Sequence, residues 1–340
     1  MSNNGYPQPD NASGGPFFEV RGESDPYGGA FDPFDIAPPV RDRYWLHALL
    51  LLLTFLSTTV VGAGLAESFA ANAPFTLDEI TGYVRMWHHP AYLLQGLPFS
   101  LTLLLILMAH EMGHYLTALY YGVDVSLPYF LPAPTLIGTL GAFIRIRSQV
   151  QSKRTLFDIG IGGPLAGFVV LAGPLAAGVA LSKVVPGIVI RGDLTMGNPL
   201  LLRLFEALLF PGVRPGDISL HPVARAAWAG LLATALNLLP IGQLDGGHIL
   251  YAFAGDRTRL FSRLFVAALA SLGIYQLFAT HYTNGYTWLL WAGMLFFLGM
   301  RHPAIYDHRP IGRLRTWLGV AALAMFILSF TVSPVQTNGL

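Results

Sequence analysis

Residues 107–116 read LMAHEMGHYL, two histidines and a glutamate set in an apolar run. In a helix, residues four apart lie one turn above each other, so His110 and His114 can reach one ion while Glu111 stands beside it. The chain contains no cysteine, which excludes disulfides, iron-sulfur clusters, thiolate metal sites and cysteine nucleophiles. Any metal must therefore be held by His, Asp or Glu. An ionisable cluster inside a lipid-compatible helix costs several kcal/mol unless it is paired or coordinated, so a function is the default reading.

The HExxH spacing is that of a zinc-dependent peptidase. Catalytic zinc sites commonly offer three protein ligands and keep a fourth position for water, so one ligand is missing. The best candidate is Asp245 in NLLPIGQLDGGHIL, residues 237–250, a carboxylate beside two glycines near the end of another apolar run. The competing reading of Asp245 is a capping carboxylate at a helix break. His248 reads as a helix-end histidine facing water, with a supporting or alternative ligand role as the second choice. His221 precedes Pro222 at the far end of the same run and is read as structural. Gly113, Gly138, Gly141, Gly162, Gly163 and Gly167 are read as packing or turn positions.

The elements that must hold these residues are set by composition. Of 340 residues, 53% are hydrophobic and 11% charged, with a formal net charge of +1, which describes a polytopic membrane protein and gives no reason to expect a nucleic-acid partner. A crossing needs about 20 apolar residues. Runs of suitable character lie near 44–66, 95–121, 157–183, 222–253, 262–280, 285–300 and 316–333. The sixth is short, and Pro240 with Gly246 and Gly247 interrupts the fourth, so the expectation is seven spans, or six. Basic residues cluster in every second loop, at Arg145 to Arg154, Arg257 to Arg263 and Arg301 to Arg315, which predicts an N-terminus inside and a C-terminus outside. On that topology His110, His114 and Asp245 share a depth of roughly 12 to 18 Å below the inner face. Residues 1–43 are rich in Gly, Pro, Asp and Asn and are expected to form a disordered cytoplasmic tail. Residues 127–146 carry three prolines and end in a period-two pattern, which predicts a re-entrant β-like hairpin beside the site.

HEMGH followed far downstream by NLLPIGQLDGG resembles the site-2 protease family of intramembrane zinc metalloproteases, which pairs HExxH with N-x-x-P-x-x-x-x-D-G. GTLGAFIRIRS at 138–148, FDIGIGGPLAGF at 157–168 and HPVARAAWAGLLATALNLLP at 221–240 extend the likeness over about 95–255. The resemblance implies one zinc ion held by His110, His114 and Asp245, Glu111 as general base, and Asn237 as a residue that binds the substrate backbone or the developing oxyanion. An interhelical hydrogen bond is the equal alternative for Asn237. It also implies a three-helix catalytic core within 95–255. The expected organisation is a tail at 1–43, a first helix and outer loop at 44–94, that core, and additional helices at 256–340.

The expected activity is hydrolysis of a peptide bond in or near a transmembrane segment of a membrane-held substrate, within a lipid bilayer. Relatives of this kind act on regulators such as anti-sigma factors or transcription-factor precursors. Residues 184–221 and 334–340 are too short for the PDZ or CBS modules that many such proteins carry. The expected setting is a prokaryotic inner membrane, with a plastid membrane as the alternative. Two rivals remain: a catalytically silent membrane adaptor, which the intact motif set argues against, and a metal-ion transporter, which would need a polar path to both faces.

Overall fold

The computed structural model describes residues 42–74, 90–188, 194–279, 285–298 and 309–337. The expected tail and the loop segments 75–89, 189–193, 280–284 and 299–308 fall wholly or largely outside these residues. The described chain is mostly helical. α1 spans Tyr44–Ala70, α2 Leu97–Tyr120 after a 3₁₀ turn, α3 Lys153–Ala180, α4 Leu200–Leu209, α5 Pro222–Asn237, α6 Asp245–Ala254, α7 Thr258–Ala279, α8 Gly285–Leu298 and α9 Arg313–Ser329. Among the described residues, four helical stretches are long and apolar enough to cross a membrane: Tyr44–Ala70, Pro90–Tyr120, Lys153–Ala180 and Asp245–Ala279.

The run expected over 222–253 is not one helix. It divides into α5 and α6, joined by residues 238–244. Pro240 cannot donate to a helical carbonyl and crowds the preceding turn, so the helix ends at Asn237. The connector keeps its own short-range bonds, from the Ile241 amide to the Leu239 carbonyl and from the Leu244 amide to the Ile241 carbonyl.

Two features arise in stretches whose sequence pattern is irregular. Residues 129–143 form an antiparallel hairpin, β1 at Tyr129–Pro132 and β2 at Thr139–Phe143, with Tyr129 opposite Phe143 and Phe130 opposite Ala142. The mixed loop after α3 carries the ten-residue α4 and three short strands, which form two small pairs with the help of a fourth strand near the C-terminus. In the first, β3 at Lys183–Val184 pairs with β5 at Ile218–Ser219; in the second, β4 at Leu194–Met196 pairs with β6 at Val335–Thr337.

The centre of the molecule is the packing of α2, α3 and α5, where Leu103, Ile106, Leu171, Leu175, Ala227 and Leu231 are buried together. α2 and α3 approach backbone to backbone: a Cβ on Gly113 would stand 2.3 Å from the Gly162 carbonyl oxygen, and one on Gly162 would stand 2.8 Å from that of Gly113. Small residues are what permit such contact between apolar helices.

Long-range polar contacts sort the two ends of the bundle. At one end Arg147 pairs with Asp42 before α1, and Arg315 of α9 binds Asp158 of α3 at 2.6 Å. At the other, Gln276 of α7 and Trp288 of α8 both donate to the Val332 carbonyl, and β6 lies against β4. His221 sits at that second end. Its Nδ1 accepts from the Val223 amide and so caps α5, and burial, then Lys183 nearby, hold its pKa below the usual histidine range.

Candidate metal centre

α2 presents His110 and His114 on one face, ten and six residues before its end at Tyr120, and both are buried, as is Glu111 between them. Their ring Nε2 atoms lie 3.1 Å apart. The other nitrogen of His114, Nδ1, is 2.7 Å from the Ile159 carbonyl of α3. A carbonyl only accepts, so Nδ1 carries the proton and Nε2 keeps its lone pair for the centre.

Asp245 is the first residue of α6, and its Oδ2 stands 3.2 Å from each histidine Nε2. A carboxylate at a helix N-terminus is also favoured by the unpaired amides and dipole there. Two glycines after it let α6 begin against its own connector. A Cβ on Gly246 would lie 2.1 Å from the Leu238 carbonyl oxygen, and one on Gly247 would lie 2.4 Å from that of Gly242. Asn237 ends α5, and its amide nitrogen is 3.2 Å from His110 Nε2. The break in the fourth run thus brings Asn237 and Asp245, eight residues apart in sequence, to one point.

His110, His114 and Asp245 form the one group of metal-capable side chains among the described residues, with donor atoms within 4.8 Å of one another. They line a cavity of about 200 Å³ with Glu111, Asn237 and His248, and its far wall is Phe143 and Ile144 of the hairpin region. His248 reaches the cavity without joining the donor group. Glu111 and Ile144 line the same cavity, which sets the acid beside the hairpin.

The glycines of α3 have a role that their sequence reading did not include. A Cβ on Gly163 would stand 2.1 Å from His114 Nε2, one on Gly167 3.1 Å from His110 Cβ, and one on Gly160 3.0 Å from His248 Cβ. The spacing of three and four residues places all of them on one helical face, turned to the imidazoles. That spacing is the signal in the sequence that marks them as a set.

Residues 98–280 match the model of peptidase family M50, the site-2 protease family, and the chain belongs to that family. Over 329 residues it is 29% identical to a protein of Oryza sativa subsp. japonica named "Probable zinc metalloprotease EGY1, chloroplastic", covering 92% of this chain and 55% of that one. The protein of the same name from Arabidopsis thaliana is 28% identical over 334 residues, covering 92% and 58%. "Probable zinc metalloprotease EGY2, chloroplastic" of Arabidopsis thaliana is 35% identical over 212 residues, covering 60% and 35%. The chain thus spans little more than half the length of the first two relatives and about a third of the last.

Proposed function

We propose that this chain is an intramembrane zinc endopeptidase, hydrolysing a peptide bond in or near a transmembrane segment of a membrane-held protein. The observation that carries this reading is the triangle of His110 Nε2, His114 Nε2 and Asp245 Oδ2, with edges of 3.1, 3.2 and 3.2 Å. Donors at zinc-ligand distance around a tetrahedral ion lie about 3.3 Å apart, so the triangle has the size of one face of that polyhedron. His110, His114 and Asp245 would hold the zinc, which when bound would supply Lewis-acid activation of water and of the scissile carbonyl. The Glu111 carboxylate takes the proton from the attacking water and returns it to the leaving amine. The Ile159 carbonyl keeps the His114 proton on Nδ1 throughout. Asn237, at the edge of the same centre, offers an amide N–H to the substrate backbone or to the oxyanion as charge develops.

A peptide bond in an intact helix is shielded, so the substrate must be unwound and held. β2 belongs to a two-stranded sheet and keeps an edge that an extended segment can join by backbone pairing. We read the hairpin as re-entrant because its turn at Gly138 lies against Ser57, thirteen residues or about 20 Å along α1 from Tyr44. We also read seven crossings, with 95–255 as the catalytic core and 256–340 as added helices. The sorting of polar contacts to two ends supports an odd number of passes, with the N-terminal end of α1 on the basic, cytoplasmic side and β6 outside. The membrane is a prokaryotic inner membrane or a plastid membrane, and the chloroplastic names of the relatives bear on the second.

The proposal is tested by metal content. Purified wild type should carry one zinc per chain by elemental mass spectrometry, and His110→Ala, His114→Ala and Asp245→Ala should each fall to a tenth of that or less. A metal-free wild type would point to the silent-adaptor alternative, and loss in the histidine variants alone would remove Asp245 from the ligand set. Orientation is tested in the same cysteine-free chain. Single cysteines at Gln149 and Arg214 should react with an impermeant maleimide from opposite faces of sealed vesicles, and reaction from one face would overturn the topology.

A further inference from the structure

α1 lies before the stretch matched by the family model, yet it holds the hairpin at two points. Near its start, His47 Nδ1 is 3.1 Å from the Pro128 carbonyl, just ahead of β1. Ten residues later, Ser57 Oγ donates to the Gly138 carbonyl at 2.6 Å, at the turn just ahead of β2. Ten residues of helix rise about 15 Å. The four-residue β1 with its flanks spans about the same length at roughly 3.3 Å per residue. The helix and the hairpin arm are therefore matched in length, and the two contacts grip opposite ends of the arm.

The contact at the turn is backbone against backbone. Gly138 has φ +81°, and a Cβ there would lie 2.7 Å from Thr58 Cα and 2.8 Å from the Ser57 carbonyl oxygen. The next residue on α1, Thr58, shares a buried 2.7 Å hydrogen bond with Ser100 of α2, ten residues before His110. One segment, Ser57-Thr58, thus refers the hairpin turn to the helix that carries HEMGH. At the other end Tyr129 meets His47 in a tilted contact at 4.1 Å and stacks on Phe143 at 5.4 Å, and Phe143 is part of the cavity wall.

We infer that α1 sets the depth and register of β2 against the catalytic cavity, with Ser57 as a positioning residue that acts through the Gly138 carbonyl. The inference rests on reading β2 as the strand that receives the substrate. Losing the Ser57 hydroxyl frees the turn while every residue of the metal centre stays in place. The effect should therefore fall on substrate engagement, raising KM with little change in kcat.

The experiment uses the full chain in lipid vesicles with a nitroxide on Leu140→Cys, a β2 position whose side chain is 70% exposed. Ser57→Ala and Gly138→Ala should each give a more mobile spectrum, Ser57→Thr should restore that of the parent, and zinc content should stay at one per chain in all of them. With a quenched fluorescent peptide of apolar sequence as substrate, Ser57→Ala should raise KM roughly tenfold, with kcat within twofold of the parent. A spectrum unchanged by Ser57→Ala, or a loss of zinc in that variant, overturns the inference. A shifted spectrum in a chain whose parent cuts no peptide upholds the α1 grip on the hairpin and counts against the peptidase reading itself.

Discussion

Glu111→Gln should lower peptide hydrolysis by about 10²- to 10⁴-fold while the zinc content remains at one per chain. The amide of glutamine fills the same volume as the carboxylate but has no site to accept and return a proton at neutral pH. Glu111 lies outside the donor group of His110, His114 and Asp245, so the substitution removes the base and none of the ligands. Glutamine also keeps the shape that Glu111 presents to the cavity beside Ile144, so the side chain can stay where the acid was. Single-turnover hydrolysis of the quenched peptide, beside elemental analysis of the same preparation, separates the two quantities. Retained turnover would remove Glu111 from the mechanism, and lost zinc would move it from base to ligand.

Gly163→Ala should abolish zinc binding although it changes no ligand. The added methyl carbon would stand 2.1 Å from His114 Nε2 and 2.3 Å from its Cδ2, well inside contact distance. The backbone of α3 has no room to yield, so the imidazole must, at the cost of its present contacts. α3 is held against α2 by the Gly113 and Gly162 backbones, and the imidazole is fixed from its other edge by the Ile159 carbonyl. The ring must leave its rotamer, and Nε2 leaves the triangle with it. We expect zinc content at a tenth of wild type or less with secondary structure unchanged by circular dichroism. Gly173→Ala, on the same helix with nothing within 4 Å of its Cβ, should bind zinc as wild type does and serves as the control. Full zinc in Gly163→Ala would mean that α2 and α3 are further apart than described.

The grouping of His110 with His114 was legible because it is local. HEMGH lies in one continuous helix, so a four-residue spacing places both rings without knowledge of the fold. Asp245 was legible for another reason: a carboxylate in an apolar run needs an explanation whatever its neighbours. The break that delivers it was marked by Pro240 and the double glycine, but not its form, because the ends of α5 and α6 are set by contacts between residues 238–242 and the two glycines. The cradle on α3 was harder to see. Glycine contributes no group of its own, and its use as empty space depends on which side chain another helix sends there. α4 escaped because a crossing needs about 20 apolar residues and this amphipathic helix has ten. The hold of α1 on the hairpin was out of reach, since His47 and Pro128 are 81 residues apart and so are Ser57 and Gly138.

The connector 238–244 is short, and both of its ends carry a group of the centre. Asn237 closes one helix and Asp245 opens the next, so the separation of the two groups is set by the connector. Adding or removing one residue in this stretch would shift Asp245 relative to Asn237 and His110, even if every side chain of the motif were kept. Pro240 sets where α5 stops, and the length of the connector works as a spacer gauge: seven residues is the count that brings the last residue of one helix and the first of the next to the same histidine.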